Sequence, residues 1–489
     1  MSFTLLDYLI VVLYLVGIAL FGYFSGGKQR TVQEYFLGKE TIPWWIVCFS
    51  IVAAETSTLT FISIPGLAYL ANLNFLQLTF GYLLGRIAVS MVLLPAYYKG
   101  ELSTAYAFLE TRFGVKTRRF ASGVFLFTRL AADGVRLFAT AIPLQLIADI
   151  SYPAAILILA SVAFFYTYAG GVRGVIWVDA VQMFVYLGGA LVAAIVLVSG
   201  SESGLSGALS KSIAGGKTEI LNLGLTREFF QQPYTLIAGI LGGGFLSMAS
   251  HGTDQLIIQR VLTTKSLRAG QKALIGSGVV IIVQFALFLM VGLLLFDHYQ
   301  GATLAQLGID RSDKIFPKFI IEGLPPGISG FIIAGLMAAA LSTLAGSMSS
   351  MSSSVILDFY KPIAGRGLSE EKTLKISRRV TAVVAVLLVG TALLFMNTDQ
   401  TVVELALSIA SFTYGGLLGT FLLGVLVKKT RQVHALTGFV AGILVMITVI
   451  SFKLVAWTWY TVVGVAVTLV VGGFLSRLSP REQGIPDQR

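Results

Sequence analysis

Apolar residues in this chain come in blocks of about twenty rather than at every second or every third and fourth position. Residues 5–24, 175–198, 275–296 and 380–396 each carry at most one charge. About 20 helical residues cross a hydrocarbon core of roughly 30 Å, so such blocks predict transmembrane helices. Continued along the chain, the pattern predicts an all-α polytopic membrane protein of about thirteen spans. They fall at residues 5–24, 44–71, 75–98, 120–148, 152–170, 175–199, 234–252, 269–297, 326–358, 377–396, 401–427, 432–452 and 456–476. The first block follows Asp7 rather than a basic cluster and ends without a small-residue cleavage site, so it is read as a span and not a signal peptide.

Two of these spans break the pattern. In the second, Ala53 and Ala54 lead into Glu55, Thr56, Ser57, Thr58 and Thr60, and then into Ser63 and a Pro65–Gly66 pair. Pro65 removes a backbone donor, and hydroxyls satisfy freed backbone groups at membrane depth. Residues 53–58 are therefore a candidate unwound stretch, of the kind whose carbonyls coordinate ions near the midplane. The competing reading is a helix merely kinked at Pro65. An intramembrane carboxylate such as Glu55 is costly unless paired or facing a wet cavity, and marks a functional site by default. In the ninth span, Ala339, Ser342 and Thr343 stand at i, i+3 and i+4 and share a face. A carbonyl and two hydroxyls there suit a hard monovalent cation, although close packing of small residues explains the same pattern.

Span position places Arg86, Asp133 and Arg136 at the depth of Glu55, with Arg129 one turn below, so these charges are expected to pair. An arginine left free on the cavity side would call for a carboxylate on the solute. A free Glu55 would call for an amine, and a zwitterion would satisfy both.

Composition narrows the class further. The chain is 56% hydrophobic and 12% charged, too apolar for a water-soluble surface. Its formal charge of +11 sits in short loops between spans, which is the positive-inside pattern rather than a nucleic-acid footprint. Basic residues in alternate loops place the N-terminus outside and the C-terminus in the cytoplasm of a cell inner (plasma) membrane. Loops 200–232 and 298–325 are then external, with room for short helices over an entrance. Cys48 is the single cysteine, and the three histidines lack zinc-type spacing, so redox and metal enzymology are not indicated. No P-loop occurs, and neither a catalytic constellation nor an obligatory protein partner is evident. The expectation is one transmembrane transporter domain over residues 1–489, embedded in the lipid bilayer, with a small solute as its ligand.

Residues 53–69, 103–113, 168–182, 254–260 and 338–360, in that order, resemble the sodium:solute symporter family over nearly the whole chain. The resemblance implies a LeuT-like core of five-plus-five helices in inverted repeats, 44–199 and 234–427, with 5–24 and 432–476 peripheral. It implies Na+ as the coupling ion, held by the backbone carbonyls of Ala53, Thr56 and Ala339 and the hydroxyls of Ser342 and Thr343. Asp179 matches an aspartate that supports sodium binding in the family. Ala345 and Gly346 stand where some members carry serines for a second sodium. For the solute it points to Ser57, Thr60, Phe75, Thr79, Ser250, His251 and Gln255, beside Glu55, Asp133 and Arg136. Ala249 replaces a gating aromatic of the sugar-carrying members. Proton-coupled symport on the same fold is the main alternative, and a transporter-like membrane receptor the more distant one.

Overall fold

Long apolar segments in this chain have no route to satisfying their backbone in lipid except the helix, and helix is what they form. A computed structural model describes residues 3–38, 41–148, 150–202, 204–224, 226–365, 369–397 and 402–478. We number its principal helices α1 (Leu5–Gly26), α2 (Trp44–Glu55), α3 (Thr58–Leu70), α4 (Leu76–Val92), α5 (Val115–Ala148), α6 (Tyr152–Gly200) and α7 (Gly243–Gly252). They continue with α8 (Gln255–Val261), α9 (Leu267–His298), α10 (Ile328–Ser354), α11 (Glu370–Leu394), α12 (Val402–Leu426), α13 (Gln432–Ser451) and α14 (Tyr460–Leu478). Among the described residues there is no strand.

Eight described helical stretches are at once long and apolar enough to span a bilayer, nine with the bent pair α2–α3. The difference from the thirteen segments read from the sequence has identifiable sources. At about 1.5 Å per residue the 49-residue α6 would exceed two hydrocarbon cores end to end. It turns instead at Gly171, whose φ of 56° and ψ of −162° interrupt the helix where the sequence separates 152–170 from 175–199. A Cβ on Gly171 would lie 2.7 Å from the Tyr35 carbonyl oxygen, so only glycine fits. The middle of α5 carries Arg129, Asp133 and Arg136, and α7 is cut short at Gly252.

α10 is the innermost helix, buried along nearly its whole length and packed against α6, α1 and α5. Small residues let backbones approach closely around it. Gly22 and Gly26 of α1 meet Gly170 and Gly174 of α6, where an added Cβ on Gly26 would come within 2.2 Å of Gly170 Cα. α13 and α14 pack on α12 at the periphery through Gly415, Gly438, Gly442 and Gly464.

Candidate sodium and solute site

The second predicted span is broken. α2 ends at Glu55 and α3 starts at Thr58, and their axes differ by 69°. Thr56 and Ser57 between them are extended, with ψ of 111° and 165°. The break falls inside the 53–58 stretch singled out from the sequence. Pro65 lies within α3 and does not end it. Leaving the helix at Thr56 deprives last-turn carbonyls, Ala53's among them, of their i+4 donors. Ser57 caps α3 by accepting from Thr60 N (3.3 Å). Thr56 is fixed from three sides: its Oγ1 donates to Val52 O (2.8 Å) and accepts from Gln284 Nε2 (2.8 Å) and the Tyr186 hydroxyl (3.2 Å). Gln284 of α9 and Tyr186 of α6 were not anticipated, because a lone polar residue in an apolar block gives no partner away.

α10 presents its small polar face to this break. Thr58 Oγ1 donates to Leu336 O (3.4 Å), and Thr343 Oγ1 donates to Ala339 O (3.3 Å). Ser342, fully buried, donates to Asp179 Oδ1 (2.6 Å). The other oxygen, Oδ2, accepts from Ser50 Oγ (2.6 Å) and from Arg260 Nη2 (2.8 Å) and Nε (3.1 Å). A void of about 20 Å³, room for a single small particle, lies between Ser57 and Thr58 on one side and Ala340 and Thr343 on the other, with Asp133 and Arg136 on its wall.

Beside it opens a larger cavity of about 650 Å³. Of the residues proposed from the sequence for the solute, Glu55, Ser57, Thr60, Phe75, Arg136, Ser250 and His251 line it. Asp133 lies on the small void instead. Thr79 and Gln255 are not among its lining residues. Thr79 Oγ1 turns back to Leu76 O (2.8 Å). Gln255, buried beyond the interruption of α7, accepts from Ala105 N (2.8 Å) and donates to Ser353 Oγ (3.1 Å). Residues the sequence did not point to complete the wall, including Tyr82, Tyr234, Tyr414 and Trp457. Asp310, Arg311, Ser312 and Asp313 also reach it, from the 298–325 loop expected to cover an entrance. That loop rests on α3, where a Cβ on Gly66 would come 2.4 Å from Ser312 O.

The buried charges are paired as their common depth demanded, but with specific partners. Glu55 binds Arg86, which also donates to Ser277 Oγ (2.7 Å). His251 approaches Glu55 Oε2 through Nε2 at 3.4 Å. Its Nδ1 lies 2.8 Å from Ser250 Oγ, which is also 3.0 Å from Leu246 O. Arg129 Nη2 donates to Asp254 Oδ2 (2.5 Å), and Asp133 accepts from Arg136 Nη1 (2.9 Å) and from Ser347 Oγ. Arg129 and Arg136 both reach the cavity wall, and Arg136 is the more open, with 25% of its side chain exposed against 9% for Arg129 and 0% for Arg86.

An oxygen-only cluster at a helix break, facing small hydroxyl residues of an interior helix and opening on a charged cavity, is what binding a cation together with a polar solute requires. A family model described as the sodium:solute symporter family matches residues 35–442. The chain belongs to that family. Over 476 residues it is 28% identical to the sodium/sialic acid symporter NanT of Aliivibrio fischeri, covering 96% of this chain and 93% of that one. It is 26% identical to the mouse sodium-coupled monocarboxylate transporter 1, covering 90% of this chain and 72% of the other. The solved structure of a Na+-coupled sialic acid symporter in its substrate-bound, outward-open state superposes with a TM-score of 0.89 at 26% identity, covering 98% and 99% of the two chains. This symporter is thus a multi-pass membrane protein of LeuT-like fold that couples Na+ to solute transport, and it is not an enzyme. The coupling ion is sodium, as the resemblance implied.

Proposed function

We propose that this symporter carries a small solute bearing a carboxylate, and that Arg136 binds it. The observation that carries the proposal is Arg136 itself, on the cavity wall, with only Nη1 committed to Asp133. Its remaining guanidinium donors match a planar carboxylate. Glu55, by contrast, is already neutralised by Arg86, which leaves it a weaker call on an amine. The names of the relatives agree in kind, since sialic acid and monocarboxylates are both acids.

The ion sits between the carbonyls of Ala53, Thr56 and Ala339 and the hydroxyls of Ser342 and Thr343. Asp179 acts on it through Ser342: by taking that hydroxyl's proton it turns the oxygen's lone pairs outward, while Arg260 and Ser50 occupy its other oxygen. Residues 44–199 and 234–427 form the two repeats, supported by the interrupted helix that opens each, α2–α3 and α7–α8. The N-terminus lies outside and the C-terminus in the cytoplasm, and transport runs inward. A potential of about 100 mV contributes ~2.3 kcal/mol per charge and a tenfold sodium gradient ~1.4 kcal/mol, so a single ion sustains several-hundred-fold accumulation.

The test is thermal stabilisation of the purified protein by a panel of sugars, amino acids, simple carboxylates and vitamins, each in sodium or potassium. Carboxylates are expected to stabilise only in sodium. That effect should vanish in Ser342→Ala at low sodium and in Arg136→Gln at any sodium concentration. Stabilisation by neutral sugars alone would sink the carboxylate reading.

A further inference from the structure

Arg118 and Arg119 are neighbours in the first turns of α5 and have opposite fates. Arg118 is fully engaged: Nη1 donates to Glu110 (2.5 Å), Nε to Asp358 Oδ1 (2.8 Å) and Nη2 to Leu357 O (2.8 Å). Arg119 makes no hydrogen bond or ion pair among the described residues, and its Nε is shielded from water without a partner. A shielded, unpaired guanidinium N–H is expensive, so something outside the protein should satisfy it.

Arg119 stands at the head of an apolar groove of about 370 Å³ between α5, α12 and α13. Phe120, Gly123, Val124 and Phe127 of α5 form one wall, and Phe412 and Ile443 the other. Phe120 is fixed edge-to-face against Phe439, with ring centroids 5.2 Å apart. Gly123 keeps the groove open, because a Cβ added there would meet nothing within 4 Å. Phe127 is 71% exposed about 12 Å further along the helix, a chain's length below the charge. Lys116 precedes Arg119 by three residues on the same stripe and is exposed.

We propose that this groove is a binding site for an anionic phospholipid, its phosphate on Arg119 and Lys116 and one acyl chain along Phe120, Gly123 and Phe127. A cationic rim at the end of an apolar slot between spans complements such a lipid in both charge and shape. A soluble partner would leave the apolar wall unpaid for, and a zwitterionic lipid brings its own cation to the rim. The site is separate from the sodium and solute cavity, so it stands or falls independently of the carboxylate reading.

The experiment uses the full chain purified in detergent, with thermal unfolding and native mass spectrometry read after adding dioleoylphosphatidylglycerol, dioleoylphosphatidylcholine or glycerol 3-phosphate. Phosphatidylglycerol should raise the unfolding temperature and remain bound in the spectrometer, phosphatidylcholine should do so more weakly, and glycerol 3-phosphate should have no effect. Arg119→Gln should erase the difference between the two lipids. Gly123→Leu, whose Cβ meets no protein atom within 4 Å and whose side chain occupies the groove, should weaken both, and Phe127→Ser gives a second apolar variant should the first disturb packing. Equal effects of the two lipids on the unmodified protein, or an undiminished preference in Arg119→Gln, would overturn the proposal. So would glycerol 3-phosphate acting as well as the lipid, since the groove would then be irrelevant.

Discussion

The two interrupted helices break in different ways. Between α2 and α3 the chain bends by 69° over Thr56 and Ser57, and among the described residues no charged side chain hydrogen-bonds to these two extended residues. Between α7 and α8 the interruption at Thr253 and Asp254 is pinned by an ion pair. Asp254 caps α8 by accepting from Leu256 N (2.9 Å), and its Oδ2 also takes Arg129 of α5 (2.5 Å) and the Tyr414 hydroxyl of α12 (2.9 Å). The second break has its polar groups satisfied by the protein, whereas the first leaves last-turn carbonyls without helical donors. One break is a joint of the scaffold, and the other is the one we propose as the ion site.

That contrast is most directly broken at Asp254. Asp254→Ala should leave Arg129 buried without its main partner and cost about 3–5 kcal/mol of stability, measured by thermal or denaturant unfolding. The loss should be the same in sodium and potassium, and a sodium-dependent loss would make the second break a ligand site too. Next in size, Arg136→Gln should raise KM for a carboxylate solute roughly 10- to 100-fold, the value of a charge-assisted hydrogen bond, with unfolding in potassium little changed. Unchanged uptake kinetics would remove Arg136 as the anchor. Ser342→Ala should raise the sodium concentration for half-maximal uptake about tenfold, equivalent to ~1.4 kcal/mol, while Asp179 keeps Ser50 and Arg260. Smallest, Ser57→Ala removes the cap of α3 and should cost roughly 0.5–1 kcal/mol. Because the cap holds the first break open, that cost should shrink when sodium is bound, which calorimetry with and without the ion would show.

The first break was legible because its composition is at odds with its surroundings: a carboxylate and a run of hydroxyls cannot lie idle in lipid, so Glu55 and Thr56 announce themselves. The helical repeat likewise put Ala339, Ser342 and Thr343 on one face, and α10 does turn that face inward. The second break lacked any such announcement. Gly252, Thr253 and Asp254 are common at an ordinary helix end, and the tertiary contacts of Asp254 with Arg129 and Tyr414 that mark this one as an interruption are not visible in the sequence. Pairing was legible as a requirement but not as a choice, since depth alone does not say that Glu55 takes Arg86 and Asp133 takes Arg136. The partners of Thr79 and Gln255 were hidden for a related reason: a hydroxyl or amide in a helix can satisfy itself on nearby backbone or on another helix, and periodicity does not record which. The Asp310–Asp313 segment of the cavity wall belongs to a loop without periodicity, and loops carry no signal of where they fold back.

The contact between Gly66 and Ser312 makes the 298–325 loop a passenger on α3, the second half of the broken helix. With backbone against backbone, there is no side chain between them to absorb relative movement. A tilt of α3 should therefore carry Asp310, Arg311 and Asp313 of the cavity wall with it, so that the loop and the helix move as one lever.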